Sequence, residues 1–109
     1  MKRGAIVVAA AKGAYSGQPR PAVVIQTDLL NPTHPSLILA PITTDLRDLP
    51  GFRIPITPSA ENGLLEPSEI MVDKPVTVPK DKVHRQIGEI DADTLVRLNR
   101  ALTVVLGLV

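Results

Sequence analysis

The sequence contains no cysteine and no tryptophan, and its only large aromatic residues are Tyr15 and Phe52. The lack of cysteine excludes disulfide bonds, thiolate catalysis and zinc sites built on thiolates. With so few aromatic rings the core must be aliphatic, and the many valine and isoleucine residues favour β-strands. Neither sign of charge dominates, since 12 basic and 11 acidic residues give a net charge of +1. A surface for an anionic partner must therefore be a local patch.

Long hydrophobic runs are also missing. The apolar run over residues 5–11 follows Lys2 and Arg3 and ends at Lys12, so it is only faintly similar to a signal peptide. A membrane-spanning helix needs about 18 or more apolar residues, which no part of the sequence provides. We therefore expect no membrane segment, no export and a cytoplasmic location.

The length of 109 residues suits a single domain over residues 1–109. All 11 prolines lie between Pro19 and Pro79, which separates a turn-rich body over residues 4–90 from a tail over residues 91–107. Short apolar runs between turn signals, such as Asn62 with Gly63, predict five or six strands. Pro41 predicts a sheet edge or a bulge for the third of them. The runs are residues 4–11, 21–27, 36–43, 52–57, 69–78 and 86–90.

The tail changes to helical spacing. Asp91 or Asp93 suits the N-terminal cap of a helix and Gly107 suits its end. One face carries an apolar stripe formed by Leu95, Leu98, Leu102 and Val105. Further apolar residues predict that the last turn is buried, against the body or against a second subunit. The sequence thus predicts a mainly β fold with a C-terminal helix, as a small barrel or curled sheet without βαβ units.

Common catalytic patterns are not found. His34 and His84 are far apart in the sequence and have no neighbouring ligands, so no metal site is predicted. There is no glycine-rich phosphate loop and no serine in a nucleophile motif. Ordinary hydrolase chemistry is therefore not indicated.

Polar residues stand out at the ends of two predicted strands. Arg20 lies between Pro19 and Pro21, whose rings stiffen the backbone on both sides of the guanidinium's root. Thr43 and Thr44 end the third predicted strand. Each feature also has an ordinary explanation, namely an exposed arginine at a strand start and the β-propensity of threonine. Spacing alone does not bring these positions together.

The order of these features resembles the MazF/PemK (Kid) toxin family over essentially the whole chain. The resemblance rests on residues 3–7, 19–25 (PRPAVVI), 41–44 (PITT), 51–53 (GFR), 63–64, 69–73 (EIMVD) and the helix over 91–106. It implies a small SH3-like barrel of the CcdB/PemK type that forms a homodimer. It also implies the toxin of a type II toxin–antitoxin system, a metal-independent endoribonuclease without cofactors. Such a toxin cleaves single-stranded RNA and is inhibited by a MazE-type antitoxin.

The resemblance assigns catalytic roles to Arg20 and Thr43, and to Asp73 by similarity to the PemK branch. In such a reaction the 2′-hydroxyl attacks the adjacent phosphate, and a fixed guanidinium and a hydroxyl stabilise the charge on the phosphoryl oxygens. Arginine is a poor proton donor or acceptor because its pKa exceeds about 12, so the general base stays open between Asp73, His84 and water. RNA contacts are expected at Tyr15, Gln18, Thr44, Arg53, Lys74, Lys80 and His84.

Two positions depart from the family pattern. Ala5 stands where many relatives have an acidic residue, which raises the expectation of reduced or abolished activity. Tyr15 stands where some relatives have a glutamate, and its ring offers a platform on which an RNA base can stack. Neither departure affects Arg20 or Thr43.

Two other functions use similar folds. A CcdB-like poison of DNA gyrase acts through residues near the end of the helix, and it would leave Arg20 and Thr43 without a role. An SH3-like module that binds proline-rich peptides needs a groove lined by aromatic side chains, for which this sequence has too few. The RNA-cleaving toxin is therefore the preferred interpretation.

Overall fold

The computed structural model describes residues 1–10 and 18–109. It contains seven β-strands, a short 3-10 helix and one α-helix, so the predicted mainly β fold with a C-terminal helix is confirmed. The 3-10 helix is Lys80–Lys82 and the α-helix, α1, is Ala92–Val105. The strands are β1 (Ala5–Ala9), β2 (Arg20–Val24), β3 (Ser36–Thr43), β4 (Arg53–Ile56), β5 (Ser68–Met71), β6 (Val76–Pro79) and β7 (Val83–Glu89).

All seven strands belong to one antiparallel sheet. Hydrogen-bonded neighbours follow the order β4, β5, β3, β2, β1, β7, and β6 pairs with β3 on the edge that β5 also uses. In the described part of the chain β4 and β7 do not pair, so the expected small barrel or curled sheet is an open sheet. Strands β2 and β3 occupy the centre of this sheet. The start of β2 and the end of β3 therefore lie next to each other in the middle of the sheet.

The strand expected over residues 69–78 is wrong as one continuous element, because it is split into β5 and β6. The Lys74 N–H donates to the Met71 carbonyl oxygen at 3.3 Å and closes a turn, and Pro75 has no N–H for a ladder. Both strands pair with the same edge of β3, so this turn lies beside the middle of β3. Pro41, expected at a sheet edge or a bulge, lies in this central strand opposite the gap between β5 and β6, where no ladder N–H is required.

Successive residues of the central strands alternate between two buried clusters, one on each face of the sheet. Val23 and Ala40 belong to the cluster that includes the buried side of α1. Ala22, Val24 and Leu39 belong to the other cluster, and all five residues are fully buried. The even-numbered residues of β2 and the odd-numbered residues of β3 therefore share the face that points away from α1.

Helix α1 is capped at both ends. The Asp91 carboxylate accepts a hydrogen bond from the Thr94 N–H at 2.7 Å, and this bond holds the pKa of Asp91 below its ordinary value. Gly107 has a φ of 71°, the left-handed conformation that ends many helices. The predicted burial of the last turn against the body is not found, since Leu106 and Leu108 are 55% and 72% exposed. No helix in the described ranges is long and apolar enough to cross a membrane.

The turn predicted at Asn62 and Gly63 is present and packs closely against β7. The Gly63 N–H donates to the Ser59 carbonyl oxygen at 3.1 Å, and the Asn62 side chain accepts a hydrogen bond from the Leu64 N–H at 3.0 Å. Gly63 has a φ of 69°, and a Cβ there would overlap the backbone carbonyl of Ile87. Glycine alone meets both conditions without strain.

Candidate functional site

The pairing of β2 with β3 brings together the polar residues that stood out in the sequence. Ala22 lies opposite Pro41 in this antiparallel register. Continued by two residues to the strand ends, the same register places Arg20 opposite Thr43. Opposite residues of antiparallel strands project from one face with Cβ atoms about 5 Å apart. Both side chains therefore lie on the face of the sheet that points away from α1.

Arg20 and Thr43 line one cleft of about 280 Å³, which we call the arginine cleft. Its walls come from β2, from β3 with the loop that follows it, and from β5. Apolar groups form part of the lining, and guanidinium, hydroxyl and carboxylate groups form the rest. The lining residues are Arg20, Pro21, Ile42, Thr43, Thr44, Asp45, Ser68 and Met71.

Arg20 is exposed, and its guanidinium is held at one point. The Nη2 group donates to the Gln18 side-chain oxygen at 3.2 Å, so Gln18 lies beside Arg20. A guanidinium carries five N–H donors in a planar fork, and among the described residues Gln18 is its hydrogen-bond partner. The remaining donors are available to an anion in the cleft.

Thr43 is half-buried, and its hydroxyl has a defined orientation. The hydroxyl oxygen accepts a hydrogen bond from the Asp45 N–H at 3.0 Å. A hydroxyl group that accepts one bond keeps its own proton for donation. Arg20 and Thr43 therefore present N–H and O–H donors to the same cleft. This arrangement suits a phosphate group that gains negative charge during a reaction.

A buried carboxylate, that of Glu69, lies beside Thr43. The sequence analysis does not identify it as part of the site. Glu69 is opposite Thr43 in the pairing of β3 with β5, and its side chain is 5% exposed. The Arg47 N–H is the main cause that holds the pKa of Glu69 below its ordinary value; burial opposes this, and the Asp48 N–H and Arg53 reinforce it. The sequence signal is an acidic residue at a strand position between buried neighbours.

Asp73 lies in a second cleft that adjoins the first. This cleft of about 490 Å³, which we call the aspartate cleft, shares Thr43, Asp45 and Met71 with the arginine cleft. Asp73 is partly exposed and forms an ion pair with Lys74 at 3.5 Å. Arg20 and Asp73 therefore line adjoining clefts that meet at Thr43, Asp45 and Met71. The other residues of the aspartate cleft are Arg47, Leu49, Phe52, Arg53 and Lys74.

The other predicted RNA-contacting residues have different surroundings. Arg53 lines the aspartate cleft, but its side chain is 7% exposed and pairs with Glu69 at 2.8 Å. The Lys80 ammonium group donates to the Asn31 carbonyl oxygen, and Lys80 follows a strand whose end pairs with Ser36, at the far end of β3. That end is about 24 Å from Thr43 at the usual rise per residue.

His84 and Tyr15 complete the predicted set. His84 is exposed on β7, next to the residue that pairs with Ala9, and β1 separates β7 from β2. Tyr15 lies outside the described residues. Ala5 is buried in the cluster on the face away from α1, four residues along β1 from the row that contains Arg20. Within residues 1–10 and 18–109, no three histidine, aspartate or glutamate side chains are placed to hold a metal ion.

Comparison with known proteins covers nearly the whole chain. Residues 2–106 match the family of PemK-like, MazF-like toxins of type II toxin–antitoxin systems. The chain is 43% identical over 108 residues to a probable endoribonuclease MazF of Mycolicibacterium smegmatis, an alignment that covers 99% of this chain and 98% of that protein.

Solved structures with the same fold include a mycobacterial toxin and a mycobacterial endoribonuclease. The toxin MazF-mt6 of Mycobacterium tuberculosis has a TM-score of 0.81 at 28% identity, over 94% of this chain and 96% of that one. An endoribonuclease from a mycobacterial species, solved in complex with its cognate antitoxin, has a TM-score of 0.85 at 22% identity, over 100% and 97% of the two chains. The extent of the family match and the identity to the Mycolicibacterium protein show that the chain belongs to the PemK-like, MazF-like toxins of type II toxin–antitoxin systems.

Proposed function

We propose that the protein is the toxin of a toxin–antitoxin pair and an endoribonuclease that cleaves single-stranded RNA, including messenger RNA in the cytoplasm. The observation that carries this proposal is the convergence of Arg20 and Thr43 on one cleft. The full-length relative named as a probable endoribonuclease supports it. No observation favours a gyrase poison, because the donors are concentrated at the strand ends and the end of α1 is apolar.

The proposed reaction is attack of a ribose 2′-oxygen on the adjacent phosphorus. A new bond forms between these atoms, and the bond from phosphorus to the 5′-oxygen breaks with its electron pair going to that oxygen. The products are a 2′,3′-cyclic phosphate and a 5′-hydroxyl, the latter protonated by water. Arg20 donates two hydrogen bonds to the phosphoryl oxygens and Thr43 donates one, which stabilises the charge that develops there.

Asp73 is our candidate for the base that removes the 2′-hydroxyl proton. It lines the cleft that adjoins the arginine cleft at Thr43, and we propose that the ribose next to a phosphate held by Arg20 and Thr43 extends into this aspartate cleft. His84 is two strands away from Arg20 in the sheet and is less well placed.

The RNA is proposed to pass over both clefts. Arg20 and Lys74 supply the exposed positive charge, Gln18 and Thr44 supply hydrogen-bonding groups beside Arg20, and Tyr15 remains the candidate for base stacking. Arg53 contributes to the shape of the aspartate cleft, since its charge is already paired with Glu69. The distance of Lys80 from Thr43 assigns it to the outer part of an RNA path.

The proposed inhibitor is a MazE-type antitoxin. A structural relative was solved with its cognate antitoxin, and the present chain belongs to a family defined by such pairs. A disordered segment rich in carboxylates fits the same two clefts as RNA, because Arg20 and Lys74 attract either kind of anion. Antitoxin and RNA are therefore expected to compete for one surface.

A homodimer is proposed through the apolar end of α1. Leu106 and Leu108, both largely exposed, line a groove of about 580 Å³ together with Ile25, Ile38 and Leu102. A second copy of the chain is the occupant we propose, since the family implies a homodimer and a solitary chain would leave this continuous apolar surface in water.

Leu108→Glu is expected to convert the dimer into a monomer, because it places a charge in the apolar groove. Sedimentation equilibrium at micromolar concentration measures the change. Leu65→Glu is the matched control, since Leu65 is 95% exposed and does not line the groove. A parent protein that sediments as a monomer would rule out this interface.

The proposed activity is tested by incubating the purified protein with a mixed single-stranded RNA in EDTA. We expect cleavage with 2′,3′-cyclic phosphate ends. Thr43→Val removes one donor and is expected to slow cleavage about a hundredfold, whereas Thr43→Ser keeps the hydroxyl and stays within a few fold of the parent. Inhibition of gyrase by a folded parent protein that leaves every RNA intact would contradict the proposal and favour the CcdB-like alternative.

A further inference from the structure

We infer that Glu69 is a positioning residue for the proposed RNA cleavage: through Arg53 and the backbone of Asp45 it fixes the Thr43 hydroxyl and the loop shared by the two clefts. This inference rests on the proposed function for its catalytic part. Glu69 itself is buried beneath that loop, out of contact with the open part of either cleft. Its effect on the reaction must therefore be indirect.

Both oxygens of the Glu69 carboxylate accept hydrogen bonds. Glu69 Oε1 accepts hydrogen bonds from the Arg47 N–H at 3.0 Å and from Arg53 Nη1 at 2.8 Å. Glu69 Oε2 accepts a hydrogen bond from the Asp48 N–H at 3.1 Å. Both partners of the Arg53 ion pair are nearly inaccessible to water, so losing either one leaves an uncompensated buried charge.

Hydrogen bonds through Asp45 connect this ion pair to Thr43. Arg53 Nη1, which pairs with Glu69, also donates to the Asp45 carbonyl oxygen at 3.1 Å. The N–H of the same Asp45 residue donates to the Thr43 hydroxyl oxygen at 3.0 Å. Because the Asp45 N–H occupies one side of the Thr43 oxygen, the hydroxyl proton points away from it, and Thr43 lines both the arginine cleft and the aspartate cleft.

The loop that Glu69 holds contains a residue in the left-handed backbone conformation. Asp48 has a φ of 49° and is the one non-glycine residue in the described ranges with a positive φ. The left-handed conformation is unfavourable for residues other than glycine, at a cost that is smaller for aspartate than for most. The Asp48 N–H bond to Glu69 offsets that cost. Without the carboxylate we expect the backbone from Asp45 to Asp48 to lose its anchor.

A glutamine at this position cannot reproduce the network. Its amide offers one acceptor oxygen, and its NH₂ group would face N–H donors that need an acceptor. Glu69→Gln is therefore expected to lower the single-turnover cleavage rate about tenfold, and to leave the RNA dissociation constant and its salt dependence within about twofold of the parent. Glu66→Gln is the control, because Glu66 is an exposed residue just before the same strand.

A double-mutant cycle separates positioning from a general structural role. If Glu69 acts through the Thr43 hydroxyl, Glu69→Gln in a Thr43→Val background changes the rate less than twofold. Independent multiplication of the two losses would overturn the inference. Arg53→Lys provides a second variant, since lysine keeps the charge but lacks the planar fork that bonds Glu69 and Asp45 together. It is expected to show the same coupling with Thr43→Val.

Amide hydrogen exchange tests the loop independently of cleavage. In the parent, the Asp45, Arg47 and Asp48 amides are expected to be protected, and Glu69→Gln removes this protection. Folding lowers the pKa of Glu69. The ionised carboxylate therefore contributes fully to stability above its ordinary pKa of about 4.3. This contribution is lost as the pH falls through the lower pKa of the folded state. Unchanged protection in Glu69→Gln would refute the anchoring, whereas a parent protein that cuts no RNA would refute the proposed function alone.

Discussion

Arg20→Ala is expected to slow RNA cleavage by about a thousandfold or more, while the midpoint of thermal unfolding changes little. One donor to a developing oxyanion contributes about 10²–10³ in rate, and Arg20 supplies two such donors together with a full positive charge. The side chain is exposed and its described hydrogen bond is with Gln18, so its removal leaves no buried group without a partner. The loss should therefore be chemical rather than structural.

Single-turnover cleavage in EDTA measures the effect, with thermal unfolding followed in parallel. Arg20→Lys is expected to fall between the parent and alanine, because lysine keeps the charge without the two-pronged geometry. Arg100→Ala, an exposed arginine on α1, is the control and should retain the parent rate. In RNA binding, Arg20→Ala and Lys74→Ala should each reduce the salt slope by about one. An undiminished rate in Arg20→Ala would remove Arg20 from the mechanism.

Gly63→Ala is expected to destabilise the fold far more than Gly107→Ala. Gly63 and Gly107 have nearly the same backbone conformation, with φ of 69° and 71°. An added Cβ meets nothing within 4 Å at Gly107, whereas at Gly63 it overlaps the Ile87 carbonyl. Gly107→Ala therefore lowers the free energy of unfolding only through its backbone conformation, by about 1 kcal/mol. Gly63→Ala should lower the free energy of unfolding by about 3 kcal/mol more, as overpacking against backbone cannot be relieved by a rotamer change.

Chemical denaturation of the parent and both variants measures this difference. With about 4 °C or more lost per kcal/mol for a domain of this size, the melting temperatures of the two variants should separate by about 12 °C. Equal destabilisation of the two variants would mean that the turn moves away from β7 without cost, and the close approach would then have no role in stability.

Much of the fold could be predicted from local patterns. The strand from residue 36 to 43, the turn at Asn62 with Gly63, and a helix capped by Asp91 each depend on signals within a few residues. The split between β5 and β6 was missed because apolar spacing continues across Asp73 and Lys74, and the decisive fact is which half of β3 each segment pairs with. Pairing of this kind is a long-range property that a local pattern does not contain.

For the candidate site, too, local patterns identify some features and long-range pairing decides the others. Arg20 and Thr43 could be assigned only by resemblance to a family, because the register of β2 against β3 decides whether they meet. The resemblance predicts an RNA contact at Arg53, and nothing in its local sequence shows that its side chain is buried in an ion pair with Glu69. Glu69 belongs to the stretch over residues 69–73 that carries the family resemblance, but nothing in that stretch assigns it a role in the site. Buried ion pairs between distant residues require the three-dimensional arrangement before either partner can be interpreted.

The row of residues across the sheet has a consequence for when the toxin first becomes harmful. Thr43 faces Arg20 on one neighbouring strand and Glu69 on the other, so the site needs β5 as well as the two central strands. A slip of one residue in either pairing would turn these side chains to the opposite face. A chain still emerging from the ribosome therefore has no working site until Met71 has left the exit tunnel. On the proposed function, a nascent chain cannot cut RNA while its first two thirds are still being made.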